Sequence, residues 1–233
     1  MSDPVTEPVP ASALPEWLRP VAAAAADPES MQLPPSRTTF PPPDDGSARA
    51  SAVLLLFGEG DAGPDLLLIE RAHDMRSHAG QMAFPGGAVD PDDASPVAAA
   101  LREAWEETGV DPEGVDVFGV LPDLWLPHGN FAVTPVLGWW RRTSQVSVRD
   151  PAEVASVHRV PLAVLRDPAN RFSVRHPGGY VGPAFGFSGL VVWGFTAGII
   201  VRLFAAVGWE RPWDEARFEP LPEHMMDSDR RSR

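Results

Sequence analysis

The segment of residues 86–110 constrains the fold most, because it specifies a helix with two different faces. Ser95 followed by Pro96 is a typical helix start, since serine caps free N–H groups and proline fits the first turn. Gly109 is a typical end, because glycine readily adopts the left-handed conformation that follows a helix. One side of the predicted helix, which runs to Thr108, carries residues that suit a core: Val97, Leu101, Ala104 and Thr108.

The other side of this predicted helix carries three carboxylates, those of Glu103, Glu106 and Glu107. Residues three and four apart share one helix face, so these side chains converge and repel one another unless a cation lies between them. Oxygen ligands of this kind suit Mg²⁺ or Mn²⁺. The Gly86–Gly87 turn lets a backbone carbonyl approach as a further ligand. A solvated charged face is the alternative, because such triplets are common on exposed helices.

Short apolar runs separated by turn residues predict strands along the rest of the chain. The predicted strands are residues 51–57, 65–71, 81–84, 115–121, 132–140 and 154–160, and a hairpin pairs 172–176 with 184–187. A short helix is predicted at 161–165 and a long apolar helix at 192–207. Strands outnumber helices and helices lie between them, which favours an α+β fold or an αβα sandwich.

Proline and polar residues divide the chain into three parts. Residues 1–33 are expected to form a loose arm around one short helix at 11–26, and the proline-rich run 34–45 begins the domain as an extended wrap. The domain itself is predicted to span 34–209. Residues 210–233 turn polar and charged, and we expect a flexible tail there.

The formal net charge of −13 restricts the partners. Nucleic acids and anionic membranes need basic surfaces, so neither is expected to bind, whereas a small phosphorylated substrate can bind through metal ions and a few arginines. The chain has no cysteine, and it starts without a basic, apolar signal peptide. We therefore expect a cytoplasmic protein. The apolar stretch 189–207 carries Arg202 and is interpreted as a buried helix or a homodimer surface rather than a membrane span.

The carboxylate helix resembles the second half of the Nudix box, which ends in R-E-x-x-E-E-x-G. The matching residues are Arg102, Glu103, Glu106, Glu107 and Gly109, with Gly87 as the opening glycine. The loop half departs from the pattern, because Asp93 stands where the box has a glutamate and one extra residue precedes Arg102.

The altered loop of the box, together with residues outside it, resembles the coenzyme A diphosphatase branch of the Nudix hydrolases. The residues that carry this resemblance are 67–72, Arg76, Gly80, 84–87, the aspartates Asp90 and Asp93, and later segments at 133–136, 153–154, 160–162 and 192–197. The resemblance implies an αβα sandwich with a mixed central sheet. It also implies hydrolysis of coenzyme A or acyl-coenzyme A, with Mg²⁺ or Mn²⁺, to 4′-phosphopantetheine (or its acyl form) and adenosine 3′,5′-bisphosphate.

The expected metal ligands are Glu103, Glu106 and Glu107, together with Gly87. Arg102 completes the expected catalytic residues, and we expect it to pair with a carboxylate and orient it. Arg71 and Arg76 are candidates for binding substrate phosphates. The base that activates water is left open between a glutamate of the cluster and Glu153.

Two alternative functions stay open at this point. One is the same chemistry on another nucleotide, such as ADP-ribose or a dinucleotide, and the other is a nucleotide-binding Nudix module without turnover. His78 and His128 are interpreted as loop or surface residues rather than metal ligands, and Trp193 as a core residue rather than a base-stacking one.

Overall fold

The computed structural model describes residues 8–27, 41–75 and 78–226. In this part of the chain, eight strands form one sheet and three form a second. The strands of the first sheet are β1 (Arg49–Gly60), β2 (Gly63–Arg71), β3 (Met82–Ala83), β4 (Gly86–Ala88), β5 (Val115–Val120), β6 (Leu124–Leu126), β7 (Phe131–Trp140) and β8 (Val154–Pro161). The strands of the second sheet are β9 (Arg171–Arg175), β10 (Val181–Phe187) and β11 (Leu190–Val192).

The first sheet is mixed and runs in the order β3-β2-β1-β7-β5. Strands β1 and β7 pair in parallel, and the other pairs are antiparallel. The three-residue strand β4 pairs with β1, so that Ala52 lies opposite Gly87. This pairing places the Gly86–Gly87 turn beside β1, the central strand of the sheet.

Strand β1 is buried on both faces, as its uninterrupted apolar run indicates. Leu54 and Leu56 pack with the apolar side of helix α2 (Pro96–Thr108), while Leu55 and Phe57 pack into a second cluster on the opposite face. The second cluster includes residues of α1 (Arg19–Ala26), α3 (Leu162–Leu165) and α4 (Gly194–Ala206). The architecture is therefore an α+β fold with helices flanking both faces of a mixed sheet, as predicted.

Helix α2 has the ends that its sequence predicts. The hydroxyl of Ser95 accepts a hydrogen bond from the N–H of Ala98, at 3.2 Å. Gly109 has a φ of 77° and donates its N–H to the carbonyl of Trp105, at 2.9 Å. The core side is buried at Leu101, Ala104 and Thr108. Both ends are fixed, so the charged side of the helix is held in a defined orientation.

Both chain ends are more closely packed than the sequence suggests. In the segment 8–27, two 3-10 turns (Ala11–Ala13 and Glu16–Leu18) precede α1, and Leu18 and Val21 are fully buried. After residue 209, the described part of the chain packs against β9, and its last element is α5 (Glu223–Met226), where Met225 is buried. The expectations of a loose arm and of a tail that frays from residue 210 are wrong for these segments, because their apolar side chains complete the cores. Residues 1–7, 28–40 and 227–233 lie outside the described part.

The last long helix begins later than predicted, because Val192 belongs to β11 and α4 starts at Gly194. Strands β4, β6 and β11 are not predicted from the sequence, since three residues are too few to show an alternating pattern. Within the described ranges, none of the helices is long and apolar enough to cross a membrane.

Candidate active site

Glu107 is the most buried carboxylate of the predicted cluster, with 2% of the residue exposed. The N–H of Gly86 donates a hydrogen bond to its Oε2, at 2.9 Å. Its Oε1 is buried and has no hydrogen-bond partner among the described residues. Burial raises the pKa of Glu107 to about 8, and the Gly86 N–H and the charge of Arg71 offset this only in part. A buried oxygen without a partner remains free to accept a hydrogen bond or to bind a cation.

Glu103 lies against the glycine turn one helical turn earlier. A Cβ atom on Gly87 would collide with the Glu103 carboxylate, so the close approach requires glycine. The carbonyl of Gly87 accepts a hydrogen bond from the Ser51 hydroxyl at 2.6 Å, and this bond orients it beside the carboxylate. Burial also raises the pKa of Glu103, although Arg102 lowers it in part. The structure thus brings Glu103, Glu107 and the Gly87 carbonyl to one place.

Arg102 donates hydrogen bonds to two carboxylates of the predicted cluster. Its Nη1 donates to Glu103 Oε1 at 3.0 Å and to Glu106 Oε2 at 2.9 Å. Its Nε and Nη2 form a bidentate pair with Asp93, at 3.0 and 2.9 Å. These bonds lower the pKa of Asp93. The aspartate that departs from the box pattern therefore anchors the arginine that pairs with Glu103 and Glu106.

Glu106 differs from its two neighbours in exposure, since 45% of its side chain is accessible. It lies at the outer edge of the cluster, where Arg102 holds it. The predicted convergence of three carboxylates is therefore uneven: two are buried beside the glycine turn, and one lies at the rim.

A cavity of about 1020 Å³ opens in front of these groups. Arg71, at the end of β2, lines it, and the buried Nε of this arginine has no partner among the described residues. Glu153 also lines it, and its charge contributes to the raised pKa values of Glu103 and Glu107. Arg76, the second predicted phosphate-binding residue, lies outside the described residues.

The wall of the cavity formed by His176, Tyr180 and Trp193 was not predicted; we call it the C-terminal wall. The rings of His176 and Trp193 stack at 5.4 Å with an interplanar angle of 20°, and Tyr180 meets Trp193 edge-on at 5.6 Å. Trp193 Nε1 is buried without a partner in the described part of the chain. Trp193 lines the cavity as well as packing against the core. No pattern in the sequence indicates this wall, because two distant segments form it.

The oxygen donors around the glycine turn suit a divalent metal ion, although their side chains do not form a complete coordination sphere by themselves. Within the described ranges, no group of three or more acidic or histidine side chains is close enough to bind a metal directly. The available donors are hard oxygens, which Mg²⁺ and Mn²⁺ prefer. A cation between Glu103 and Glu107 would satisfy the unpaired Oε1 and offset the effect of burial on both carboxylates. The residues therefore fit such an ion.

The comparison with protein families gives one match, in which the model of the NUDIX domain covers residues 47–178. A protein of Cronobacter sakazakii is 46% identical over 156 residues, which is 64% of this chain and 78% of that protein. A protein of Citrobacter koseri is 42% identical over 167 residues, or 69% of this chain and 84% of that protein. Both are named uncharacterized Nudix hydrolase NudL.

Solved structures of lower identity share parts of the fold. The Nudix hydrolase RenU of M. smegmatis is 22% identical, with a TM-score of 0.42 over 54% of this chain and 80% of that one. The NUDIX domain of Shewanella oneidensis NrtR, complexed with ADP ribose, is 22% identical, with a TM-score of 0.42 over 51% of this chain and 76% of that one.

Proposed function

Because this chain belongs to the Nudix family, which hydrolyses pyrophosphate bonds in nucleotide-like substrates, we propose that it is a metal-dependent diphosphatase of coenzyme A and its thioesters. Water attacks one phosphorus and the P–O–P bridge breaks. The attacked phosphate keeps the oxygen of the water, the other phosphate keeps the bridging oxygen, and the two monoester dianions are released with two protons. The observation that carries the proposal is the buried pair Glu103 and Glu107 beside the glycine turn, in a cavity that Arg71 also lines.

Glu103, Glu107 and the Gly87 carbonyl are the groups that would hold Mg²⁺ or Mn²⁺, with Glu106 at the exposed edge as a further ligand. A bound divalent ion neutralises the diphosphate charge and polarises its P–O bonds. Arg102 fixes the orientation of Glu103 and Glu106 through charge-assisted hydrogen bonds, and Asp93 fixes Arg102. This network places the ligand oxygens before substrate enters.

Arg71 supplies positive charge to the substrate phosphates beside the acidic cluster. Its side chain approaches Glu107 closely enough to lower the pKa of that carboxyl. Glu153 is our candidate for the base that accepts the proton of the attacking water. It lines the same cavity, and its backbone carbonyl is held by the N–H of Ala72, directly after β2, at 2.8 Å. A base must lie within hydrogen-bond reach of the attacking water, and Glu153 shares the cavity with Glu103 and Glu107.

The choice of coenzyme A rests on the resemblance of residues 67–87 to the coenzyme A diphosphatase branch. The structure supports this choice, because several residues of that segment line the cavity beside the carboxylates: Arg71, Met82, Phe84, Gly86 and Gly87. The segment can therefore contact a substrate whose diphosphate lies at Glu103 and Glu107.

A substrate panel tests the proposal. Coenzyme A, acetyl-coenzyme A, ADP-ribose and a dinucleoside polyphosphate are incubated with the protein and Mn²⁺, and kcat/KM is measured for each. We expect coenzyme A and its thioester to have the highest values, with adenosine 3′,5′-bisphosphate as the nucleotide product. Faster release of AMP from ADP-ribose would overturn the coenzyme A assignment. Nucleotide binding without turnover of any of the compounds would overturn the enzymatic role.

A further inference from the structure

Besides Arg71 and His176, three basic side chains line the cavity: Arg49, His78 and His128, which we call the cationic rim. In a chain with a net charge of −13, such a group beside a cavity is a local reversal of the electrostatic field. None of the three belongs to the Nudix box, and the proposed cleavage does not use them.

Arg49 is exposed, and its guanidinium is held in place by uncharged partners. Its Nη2 donates to the carbonyl of Gly129 at 3.0 Å, and its Cζ lies 4.1 Å from the ring centre of Phe131. Among the described residues, no carboxylate lies within ion-pair distance of Arg49, whereas Arg102 has four such neighbours. The Arg49 charge is thus oriented but not neutralised, as in a site that receives an anion.

The two histidines extend the rim next to Arg49. Their rings meet edge to face, with centroids 4.9 Å apart. His128 is followed by Gly129, whose carbonyl binds Arg49, so the loop before β7 connects the arginine to the histidine pair. An imidazole can donate a hydrogen bond to a phosphate oxygen in either protonation state.

The distance between the rim and the carboxylate cluster follows from strand β1. Ser51 bonds the carbonyl of Gly87 at the proposed metal site, and Arg49 is two residues earlier on the same strand. Two residues of extended strand span about 7 Å, and their side chains lie on the same face. A substrate with its diphosphate at Gly87 therefore places a neighbouring substituent near Arg49.

We propose that the cationic rim binds a second phosphate group of the substrate, a monoester that is not cleaved. The ligand class is a nucleoside that carries a phosphate monoester on its ribose in addition to the 5′-phosphate. This inference rests on the proposed function, since coenzyme A has such a group and ADP-ribose does not. It makes Arg49 and His128 residues that determine specificity rather than catalysis.

The two adenosine nucleotides that differ by this phosphate provide the probe. Dissociation constants of adenosine 3′,5′-bisphosphate and AMP are measured by calorimetry in the presence of Mg²⁺. Neither compound contains a diphosphate bond, so the protein cleaves neither of them. We expect wild-type protein to bind the bisphosphate at least about tenfold more tightly, a difference of about 1.4 kcal/mol. The ratio of the dissociation constant of AMP to that of the bisphosphate should fall toward one in Arg49→Met and be intermediate in Arg49→Lys. His128→Gln should lower this ratio less than Arg49→Met does.

Arg175→Met is the matched control, because Arg175 also lies over a phenylalanine ring, that of Phe218 at 5.3 Å, but does not line this cavity. It should keep the wild-type ratio. Equal binding of the two nucleotides by wild-type protein, or an unchanged ratio in Arg49→Met, overturns the proposal. Both results are independent of coenzyme A turnover. Failure of the proposed coenzyme A hydrolysis and failure of the proposed phosphate binding by the cationic rim can therefore be distinguished.

Discussion

The carboxylate cluster and the C-terminal wall face the same cavity but are built in different ways. The cluster consists of charged groups fixed by Arg102, by a buried N–H and by a glycine turn, and it belongs to the segment that the family model matches. In the wall, Tyr180 and Trp193 follow the end of that match, and aromatic rings contact one another. Burial raises the pKa of Tyr180 to about 12, so the wall contributes no negative charge near neutral pH.

This difference suggests a division of labour within the site. Fixed charges stabilise the charge that develops during a reaction, so changes in the cluster should lower kcat. Rings and unpaired donors contact the substrate equally before and during the reaction, so changes in the wall should raise KM and leave kcat unchanged. The following predictions, ordered from the largest expected effect to the smallest, test this division.

The largest effect is expected for Glu107→Gln, which keeps the shape of the side chain but removes its charge. The variant should lose kcat by on the order of 10²–10³-fold, because a buried oxygen ligand loses the charge that holds the metal. Steady-state hydrolysis of coenzyme A measures this. The melting temperature should not fall, since burial disfavours the charged form. A fully active variant would contradict the metal-ligand role.

Arg102→Met should follow, with activity lowered by about 10–100-fold, as for residues that orient metal ligands. The concentration of Mn²⁺ needed for half-maximal activity should rise in parallel, a change that loss of a purely structural residue would not produce. Arg102→Lys should rescue little, because a single ammonium group cannot reproduce the bidentate pair with Asp93. Full rescue by lysine would show that only the charge matters.

The positions of these two residues were predictable from sequence, and the physical reason is local. Capping residues and 3.6-residue periodicity specify α2 by itself, so the spacing of Arg102, Glu103 and Glu107 fixes which face they share. Asp93 could be placed in the loop but not paired with Arg102, since that contact depends on how the loop folds back.

The residues that sequence analysis missed depend on long-range register. Ser51 reaches Gly87 only because β4 pairs with β1, and Trp193 lines the cavity after β11, whose place is set by its pairing with β10. Arg49 was not singled out for the same reason, since its neighbour Phe131 is brought beside it by the parallel pairing of β1 and β7. Such contacts leave no signal in a local pattern.

Trp193→Phe tests the wall. This change removes the unpaired Nε1 and keeps an aromatic ring, so we expect KM for coenzyme A to rise several-fold and kcat to stay within about twofold. The free energy of unfolding should change by no more than about 1 kcal/mol. A loss of kcat equal to that of Arg102→Met would erase the proposed division between wall and cluster.

The smallest effect concerns His158, which lies on β8 and does not line the cavity. Burial lowers the pKa of His158 below its usual value of about 6.5, and Glu70 offsets this in part. The folded state therefore binds the proton more weakly than the unfolded chain, and stability is lost as the pH falls below about 6.5. Between pH 7.5 and 5.5, the melting temperature of wild-type protein should fall by up to about 3 °C more than that of His158→Gln. Equal falls in both proteins would contradict this.

The central claim is that a divalent metal ion binds at Glu103 and Glu107, and Mn²⁺ titration without substrate tests it most directly. Calorimetry on wild-type protein, Glu107→Gln and the exposed control Glu113→Gln compares the dissociation constants. We predict that Glu107→Gln weakens Mn²⁺ binding at least about tenfold, in line with the loss of a ligand charge, while Glu113→Gln leaves it unchanged. Equal Mn²⁺ affinity in all three proteins would contradict the account.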